Sequence, residues 1–522
     1  MVIFLPLSLN GKEIYMSTII ETHTGKVKGT SVGGLTIFKG IPYAADTAGD
    51  LRFSPPVPPE PWNDVFDATE FGNEAPQGPS MLDFGEPPPQ SEDCLKLNIW
   101  TPGTDTARRP VMLWLHGGGF ITGGAARPLY DGSYLATCGD VVVVTINYRL
   151  GVLGFLTHPS LTDEAGGAAG NWGLLDQIAA LEWVRDNIEL FGGDPDNVTI
   201  FGESAGGTSV GLLMAAPGAR GLFKRAISQS GPPLTHSFEH AVDYAEKLFK
   251  KLGCEVGDVK KLREIDVDTI LQAQIANRKQ FDTWPAVDGV VIPQWPMDAV
   301  DEGLTEGVEL MAGCNRDEAK LFLLFDPRRN KLDEANLLRR LEKALPGMHS
   351  SGQSNGARVL EVYREARTGR GESVDPWQIW CSIHSDRMMR EPILRFAQSH
   401  SSGGRKCYVY LFTWESPNKD LGSCHALELP FMFGTLRSVR GIDKFAGKGP
   451  ESDRLSELMQ DAWPAFAKGG DPATEATGPW PGYDTEKRAT MILGTEYGIQ
   501  NAPYEPERRI WEEIDSTNFL NW

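Results

Sequence analysis

The chain has 522 residues, of which 41% are hydrophobic and 23% charged, a balance typical of a globular protein with a large core. Its formal net charge of −20 disfavours binding to nucleic acid or to an anionic membrane and mainly favours solubility. No window of eighteen apolar residues is present, so no membrane-spanning helix is predicted.

The N-terminus begins with a short apolar stretch, residues 1–9. It lacks the basic region and the small-residue cleavage site of a signal peptide. A more ordinary start follows at Met16, so residues 1–15 are expected to be an extension that the fold does not need. Residues 16–522 are expected to form one domain, and the cytoplasm is the expected compartment.

Short strands are predicted within the first hundred residues. The pattern then changes to continuous apolar runs at residues 111–115 and 141–146, which are typical of parallel strands buried on both faces. A helix with apolar positions at helical spacing follows at residues 174–184. This order predicts an α/β fold, with a large, mostly parallel central sheet flanked by helices and a small N-terminal β-sheet.

A glycine-flanked serine lies between a buried strand and a helix. The motif G-E-S-A-G at residues 202–206 follows apolar residues 198–201 and precedes a helical stretch. This arrangement exposes a serine hydroxyl on a sharp turn and aims the N–H groups of the helix at an anion beside it. Ser204 is therefore the candidate nucleophile.

A run of three glycines, residues 117–119, directly follows the strand at 111–115. A serine hydroxyl is a poor nucleophile and needs a base, an orienting acid and N–H donors for the oxyanion. Glycines let the backbone turn its N–H groups inward, so Gly118, Gly119 and Ala205 are the predicted oxyanion hole. The alternative is a flexible glycine turn. His116 is expected to order this loop rather than to transfer protons.

The orienting acid is expected after the strand-like residues 308–314, because the carboxyl ends of parallel strands share the sheet edge at which Ser204 lies. Glu318 and Asp317 are adjacent there; Glu318 is preferred, and Asp317 stays open as the alternative. The base is expected later in the chain. Four histidines follow Glu318: His349, His384, His400 and His425. His384 lies on a predicted helix, and His349 and His400 lie in Gly/Ser segments that are expected to be solvated. His425 is therefore preferred by elimination.

Segments along nearly the whole chain resemble the type-B carboxylesterases, the family that includes the cholinesterases, and most closely its bacterial para-nitrobenzyl esterase branch. The matching segments are S-E-D-C-L-K-L-N at 91–98, H-G-G-G-F at 116–120, N-Y-R-L-G at 147–151, residues 191–207, N-R-D-E at 315–318 and H-A-L-E-L-P-F at 425–431. The resemblance implies the α/β-hydrolase fold, with Ser204 as nucleophile, Glu318 rather than Asp317 as acid, and His425 as base.

The resemblance also implies an oxyanion hole of Gly118, Gly119 and Ala205, with Ser230 supporting the acid. It further implies two structural ion pairs, Arg52 with Glu92 and Arg149 with Asp176. Four aromatic residues are expected by position to line the substrate pocket: Phe120, Trp172, Trp284 and Phe322.

The expected reaction is hydrolysis of small to medium hydrophobic or aromatic esters through an acyl-enzyme, with no metal or cofactor. A carbamate or amide hydrolase with the same triad is the alternative enzyme, and an esterase-like interaction protein is the alternative outside enzymes. The expected partner is a small ester, with no nucleic acid or membrane. A monomer is expected, with a dimer as the alternative. Because the base must be neutral, the rate should rise with pH through roughly 6 to 7.

Two departures from the family pattern bear on setting and substrate. Secreted members pair the cysteine at the position of Cys94 with an upstream cysteine, and none precedes Cys94 here. The loop pair that the resemblance implies around Cys254 also lacks its second cysteine, and both absences favour a reduced, intracellular, microbial-type enzyme. Residues 81–86 replace the loop that carries the choline-binding tryptophan of cholinesterases, so a preference for choline esters is not expected.

Overall fold

A computed structural model describes residues 8–9, 12–13, 16–80, 84–162, 167–276, 283–327 and 329–514. Most of the expected extension at residues 1–15, the first half of the loop at 81–86 and the last eight residues of the expected domain lie outside the described residues.

The strands are β1 (Ser8–Leu9), β2 (Lys12–Glu13), β3 (Met16–Glu21), β4 (Lys26–Val32), β5 (Leu35–Pro42), β6 (Phe66–Asp67), β7 (Lys96–Thr101), β8 (Arg109–Leu115), β9 (Val142–Ile146), β10 (Gly193–Glu203), β11 (Arg225–Gln229), β12 (Glu309–Asn315), β13 (Cys407–Phe412), β14 (Ala489–Leu493) and β15 (Gly498–Asn501).

The α-helices are α1 (Ser133–Gly139), α2 (Gly151–Phe155), α3 (Trp172–Asn187), α4 (Ala205–Ala215), α5 (Phe238–Lys251), α6 (Val259–Glu264), α7 (Val267–Ala276), α8 (Pro296–Asp301), α9 (Ala319–Phe322), α10 (Glu334–Ala344), α11 (Asn355–Gly369), α12 (Pro376–Ser385), α13 (Glu391–Ser402), α14 (Leu429–Met432), α15 (Ile442–Ala446), α16 (Pro450–Gly469) and α17 (Glu505–Glu513). A π-helical turn, Asp386–Arg390, joins α12 to α13.

One large mixed sheet organises the molecule, in the order β15-β14-β13-β12-β11-β10-β8-β9-β7-β5-β4-β3, with β6 beside β4. The central strands from β9 through β8 and β10 to β14 pair in parallel, as the apolar runs predict. The N-terminal strands pair antiparallel. Strands β1 and β2 pair as a small separate sheet, whereas β3, β4, β5 and β7 form the antiparallel end of the large sheet. Strand β5 pairs with β7, whose buried edge would otherwise lack hydrogen-bond partners, so these strands extend the large sheet.

The central strands are buried on both faces because helices cover both. In β8, Val111 and Leu113 pack into the apolar cluster that contains side chains of α3 and α4. Met112 and Trp114 point the other way, into the cluster that contains Trp463 of α16. This packing leaves the carboxyl ends of the strands as the edge at which loops can carry a site.

Both ion pairs implied by the family resemblance are formed. Arg149 Nη2 lies 2.6 Å from Asp176 Oδ1, and Arg52 Nη2 lies 2.5 Å from Glu92 Oε2. Within the described parts of the chain, no helix combines the length and the apolar character needed to cross a bilayer.

Candidate active site

Ser204 occupies the turn between β10 and α4 in a conformation that few residues adopt, with φ 58° and ψ −124°. Its N–H donates to the Gln229 carbonyl (2.9 Å), and its carbonyl accepts from the Thr208 N–H (2.8 Å). The flanking glycine is required by close packing, because a Cβ on Gly206 would lie 1.9 Å from the Leu115 oxygen. Strained backbone held in this way is concentrated at functional sites.

The glycine loop after β8 lies against this turn. A Cβ on Gly117 would be 3.0 Å from the Cβ of Ser204. Gly118 and Gly119 have φ values of 112° and 63°, which turn the backbone into the left-handed region. Among the described residues, no acceptor takes a hydrogen bond from the N–H of Gly118, Gly119 or Ala205. These donors are therefore available to stabilise an oxyanion beside Ser204.

Glu318 and His425 form a buried pair at the same sheet edge. His425 Nδ1 lies 2.6 Å from Glu318 Oε2, and both side chains are almost fully buried. The second carboxylate oxygen of Glu318 accepts from the Ser230 hydroxyl (2.5 Å) and from the Asn315 N–H (2.7 Å). The carboxylate is thus held by donors on three sides and can orient the imidazole.

Asp317, the other candidate acid, belongs to a different cluster. Its carboxylate accepts from the Ser423 N–H and pairs with Arg316 and Lys320 at 2.8 and 3.0 Å. Burial alone would raise the pKa of Asp317, but Arg316 and Lys320 outweigh it and lower the pKa to about 2. The structure therefore brings Glu318, and not Asp317, against His425.

A cavity of about 490 Å³ opens in front of Ser204 and is lined mainly by apolar side chains. Trp284 and Phe322 line it, and the Phe322 ring lies 4.9 Å from the His425 ring. The expectation for the other two aromatic residues needs correction. Phe120 and Trp172 are fully buried in the core, where Phe120 packs edge-on against Trp284. Large aromatic side chains near a site are commonly core residues.

The model of the carboxylesterase family matches residues 16–511. The chain belongs to the carboxylesterase family. It is 41% identical to the para-nitrobenzyl esterase of Bacillus subtilis strain 168, over 94% of this chain and 97% of that protein. It is 34% identical to the phenmedipham hydrolase of Pseudarthrobacter oxydans, over 92% and 95%. A solved carboxylesterase structure from Geobacillus stearothermophilus has a TM-score of 0.85 at 40% identity, covering 95% and 100%. The protein is a carboxylic ester hydrolase with the α/β-hydrolase fold.

A further carboxylate of this carboxylesterase lies beside the imidazole. His425 Nε2 is 3.0 Å from Glu203 Oε1, although the two are not aligned as a hydrogen bond. Within the described residues, Ser204 Oγ makes no hydrogen bond to His425. Such bonds are often long or poorly aligned in a free enzyme and tighten with substrate. The signal for Glu203 is in the motif itself, where an acid ends a buried strand directly before the serine.

The carboxylates around His425 change its protonation. Burial would lower the pKa of the imidazole, but Glu203 and Glu318 outweigh it and raise the pKa well above 6.5. Burial, reinforced by repulsion from Glu203 and Glu318, raises the pKa of Glu428 to about 8. Glu428 is therefore mainly protonated at neutral pH. The rise in rate expected through pH 6 to 7 should accordingly move to higher pH.

The remaining late histidines lie away from the Glu318 pair. His400 is fully buried on α13 with Nδ1 3.2 Å from the Thr305 hydroxyl, so the expectation that it is solvated is wrong. Its apolar neighbours on the helix place that face against the core. His349 Nε2 lies 3.0 Å from Glu513. His384 lines the cavity from α12.

The predicted ordering role of His116 agrees with its contacts. Its Nδ1 lies 2.8 Å from the Gly117 carbonyl, and its ring stacks on Tyr148 at 4.4 Å. Burial lowers the pKa of His116 to about 4. All seven cysteines are free thiols. Among the described residues, no group of three or more histidine, cysteine or acidic side chains is arranged to hold a metal ion.

Proposed function

We propose that this carboxylesterase hydrolyses small to medium hydrophobic or aromatic esters with Ser204 as nucleophile, His425 as base and Glu318 as orienting acid. The observation that carries the proposal is the 2.6 Å contact between His425 Nδ1 and Glu318 Oε2 at the wall of the cavity that contains Ser204. An oriented imidazole next to a strained serine is the arrangement that activates a hydroxyl for acyl transfer.

In the first half-reaction, His425 Nε2 takes the proton of the Ser204 hydroxyl while Oγ attacks the ester carbonyl carbon. The carbonyl oxygen becomes an alkoxide, which the N–H groups of Gly118, Gly119 and Ala205 stabilise. The C–O bond to the alcohol then breaks, and the protonated imidazole gives its proton to the departing oxygen. The acyl group remains on Ser204 as an ester.

In the second half-reaction, water enters and His425 removes its proton as it attacks the acyl carbon. The same donors stabilise the second alkoxide, and the carboxylic acid leaves as Ser204 is reprotonated. Glu318, held by the Ser230 hydroxyl, keeps Nδ1 of the imidazole protonated and Nε2 directed to the reacting groups.

Two features support an apolar ester as substrate. The cavity has about 490 Å³ of space and carries Trp284 and Phe322 among its lining residues. A relative of 41% identity is named para-nitrobenzyl esterase, which supports an aromatic group in one half of the ester. We also propose that the enzyme works in the cytoplasm and as a monomer; its seven free thiols support the reducing compartment. A dimer in light scattering after gel filtration would contradict the monomer.

The test compares wild type with Ser204→Ala on para-nitrophenyl esters of increasing acyl length, an anilide and a carbamate. The expected result is ester turnover well above anilide and carbamate turnover, and a loss of kcat of about 10⁴-fold or more in the variant. Ser209→Ala is the matched control, because this serine lies on α4 with its hydroxyl bound to Gln177. Undiminished turnover by Ser204→Ala would overturn the mechanism.

A further inference from the structure

The helix that runs from α12 to α13 is interrupted by a π turn next to the cavity. The turn spans Asp386–Arg390, and the Glu391 N–H donates to the Asp386 carbonyl five residues earlier. Single π turns within helices occur frequently at functional sites. This one lies where the helix passes the substrate cavity.

The π turn brings adjacent methionines to the cavity. In a regular α-helix, a residue five positions after His384 would lie about 140° around the helix axis from it. Here His384, Met388 and Met389 all line the same cavity. The extra residue in the turn brings Met389 back toward the side of the helix that carries His384, so that Met388 and Met389 both line the cavity. Methionine is unbranched and polarisable, so two of them make an adaptable apolar wall.

A buried polar cluster holds the turn from behind. Asp386 and Arg390 are the first and last residues of the turn, and Asp386 Oδ2 accepts from Arg390 Nη2 (2.6 Å). The same oxygen accepts from the Tyr363 hydroxyl (2.5 Å). The Tyr363 hydroxyl in turn accepts from Trp511 Nε1 of α17 (2.8 Å). Because an unpaired buried charge is costly, this cluster favours one geometry of the turn.

The same helix also supports the segment that carries the acid. The Ser385 hydroxyl accepts from the Ala319 N–H at 3.0 Å, and Ala319 directly follows Glu318. The wall of the cavity and the backbone behind Glu318 are thus tied to one helix.

We propose that the π turn is a size-selecting wall, in which Met388 and Met389 contact the bulkier group of the ester. Tyr363 and Asp386 are positioning residues that act through the turn and touch no substrate. The proposal rests on the proposed function, because it requires that the ester enters this cavity. It adds the residues that decide which esters fit.

The direct test measures kcat/KM for two substrate series, para-nitrophenyl esters from acetate to octanoate and acetate esters of alcohols from methyl to naphthylmethyl. For each series, the value to compare is kcat/KM for the bulkiest ester divided by kcat/KM for the smallest. Met388→Ala and Met389→Ala should raise this ratio about tenfold in at least one series. Met389→Phe should lower the same ratio by a similar factor. Unchanged ratios in both series for all three variants would contradict the proposal that these methionines select the size of the ester.

The second test addresses the cluster behind the turn. Tyr363→Phe removes only the hydroxyl that joins Asp386 to Trp511, and should raise KM for the bulky ester about fivefold more than KM for the small one. Tyr483→Phe is the control, because its hydroxyl accepts from Arg488 outside the cavity and should leave both KM values unchanged. An equal KM change for all esters in Tyr363→Phe would contradict a positioning role.

Failure of this proposal can be separated from failure of the proposed function. If Ser204→Ala abolishes turnover while the methionine variants keep wild-type ratios, the wall alone is wrong. If Ser204→Ala remains active, the proposed nucleophile is wrong whatever the ratios show.

Discussion

The carboxyl ends of β8, β10 and β12 differ from the N-terminal strands β3 to β5 of the same sheet in what they bury. In the pair at the carboxyl ends, the Glu318 side chain is 0% exposed and the His425 side chain 5%. In the N-terminal part, the ion pair of Lys28 and Asp67 has side chains that are 36% and 59% exposed. Removing one partner of a buried charge pair is costly, whereas exposed pairs contribute little, so substitutions of charged residues should have larger effects in the first region.

The carboxyl edge also carries residues with unusual backbone conformations. Ser204, Ser230 and Ala426 all have positive φ, and Ser204 and Ala426 line the cavity. In β3, by contrast, Met16 and Ile19 are more than half exposed on an edge strand. Substitutions at the carboxyl edge should therefore change the catalytic rate, whereas substitutions in the N-terminal part should leave it nearly intact.

The largest loss of kcat is expected for a substitution of Glu318, whereas the same change at the neighbouring Asp317 should have a small effect. Glu318→Gln keeps the shape but cannot stabilise the imidazolium, so kcat should fall about 10³–10⁴-fold. Asp317→Asn should lower kcat less than about tenfold, because Asp317 pairs with Arg316 and Lys320 instead. Steady-state kinetics on one ester checks both variants. Equal losses would remove the distinction between the two acids.

A second pair of variants tests the glycine loop. Gly118→Ala should lower kcat about 10²-fold, since a Cβ there would lie 2.0 Å from the Thr122 oxygen and displace a donor. Gly119→Ala meets only the Ile121 side chain at 3.8 Å, so its cost is mainly the roughly 1 kcal/mol of a left-handed alanine. Melting temperatures distinguish misfolding from a rate effect. A greater loss in Gly119→Ala than in Gly118→Ala would contradict this account.

The pH profile tests the buried charge directly. Only the neutral imidazole accepts a proton, and a raised pKa keeps it protonated to higher pH, so kcat/KM should rise with a midpoint above 6.5. Glu203→Gln removes one of the two flanking carboxylates and should move the midpoint to lower pH. A profile that is flat from about pH 5 to 9 would be incompatible with His425 as the base.

The smallest effect on activity is expected for removal of the N-terminal residues 1–15. A chain that starts at Met16 lacks residues 1–15, and its kcat/KM should stay within about twofold of the full chain. The family match, which begins at residue 16, supports this expectation. A tenfold loss on truncation would show that the extension belongs to the folded domain.

The sequence alone predicts the parts of the site that depend on local pattern. The strand–serine–helix order around Ser204 and the glycine run after β8 are read from consecutive residues, and the apolar runs predict the parallel strands. Contacts set by tertiary packing are not visible in this way. They depend on which distant segments of the chain pack together. Examples are the pairing of β5 with β7, the burial of His400, and the position of Phe120 in the core rather than in the cavity wall.

The choice between Glu318 and Asp317 shows the same limit. Both acids follow one strand, and only the positions of Arg316, Lys320 and His425 in the folded chain separate them. The family resemblance supplied that choice, because spacing could not. Met388 and Met389 reach the cavity through a π turn for which no sequence pattern gives a signal.

The proposed mechanism requires that Ser204 attacks the acyl carbon with His425 as its base. Titration with para-nitrophenyl diethyl phosphate, followed by mass spectrometry of the digested protein, tests it most directly. We expect release of about one para-nitrophenolate per chain and a diethylphosphoryl group on Ser204, with no labelling of Ser204→Ala. A stoichiometric adduct on another residue, or equal labelling of Ser204→Ala, would contradict it.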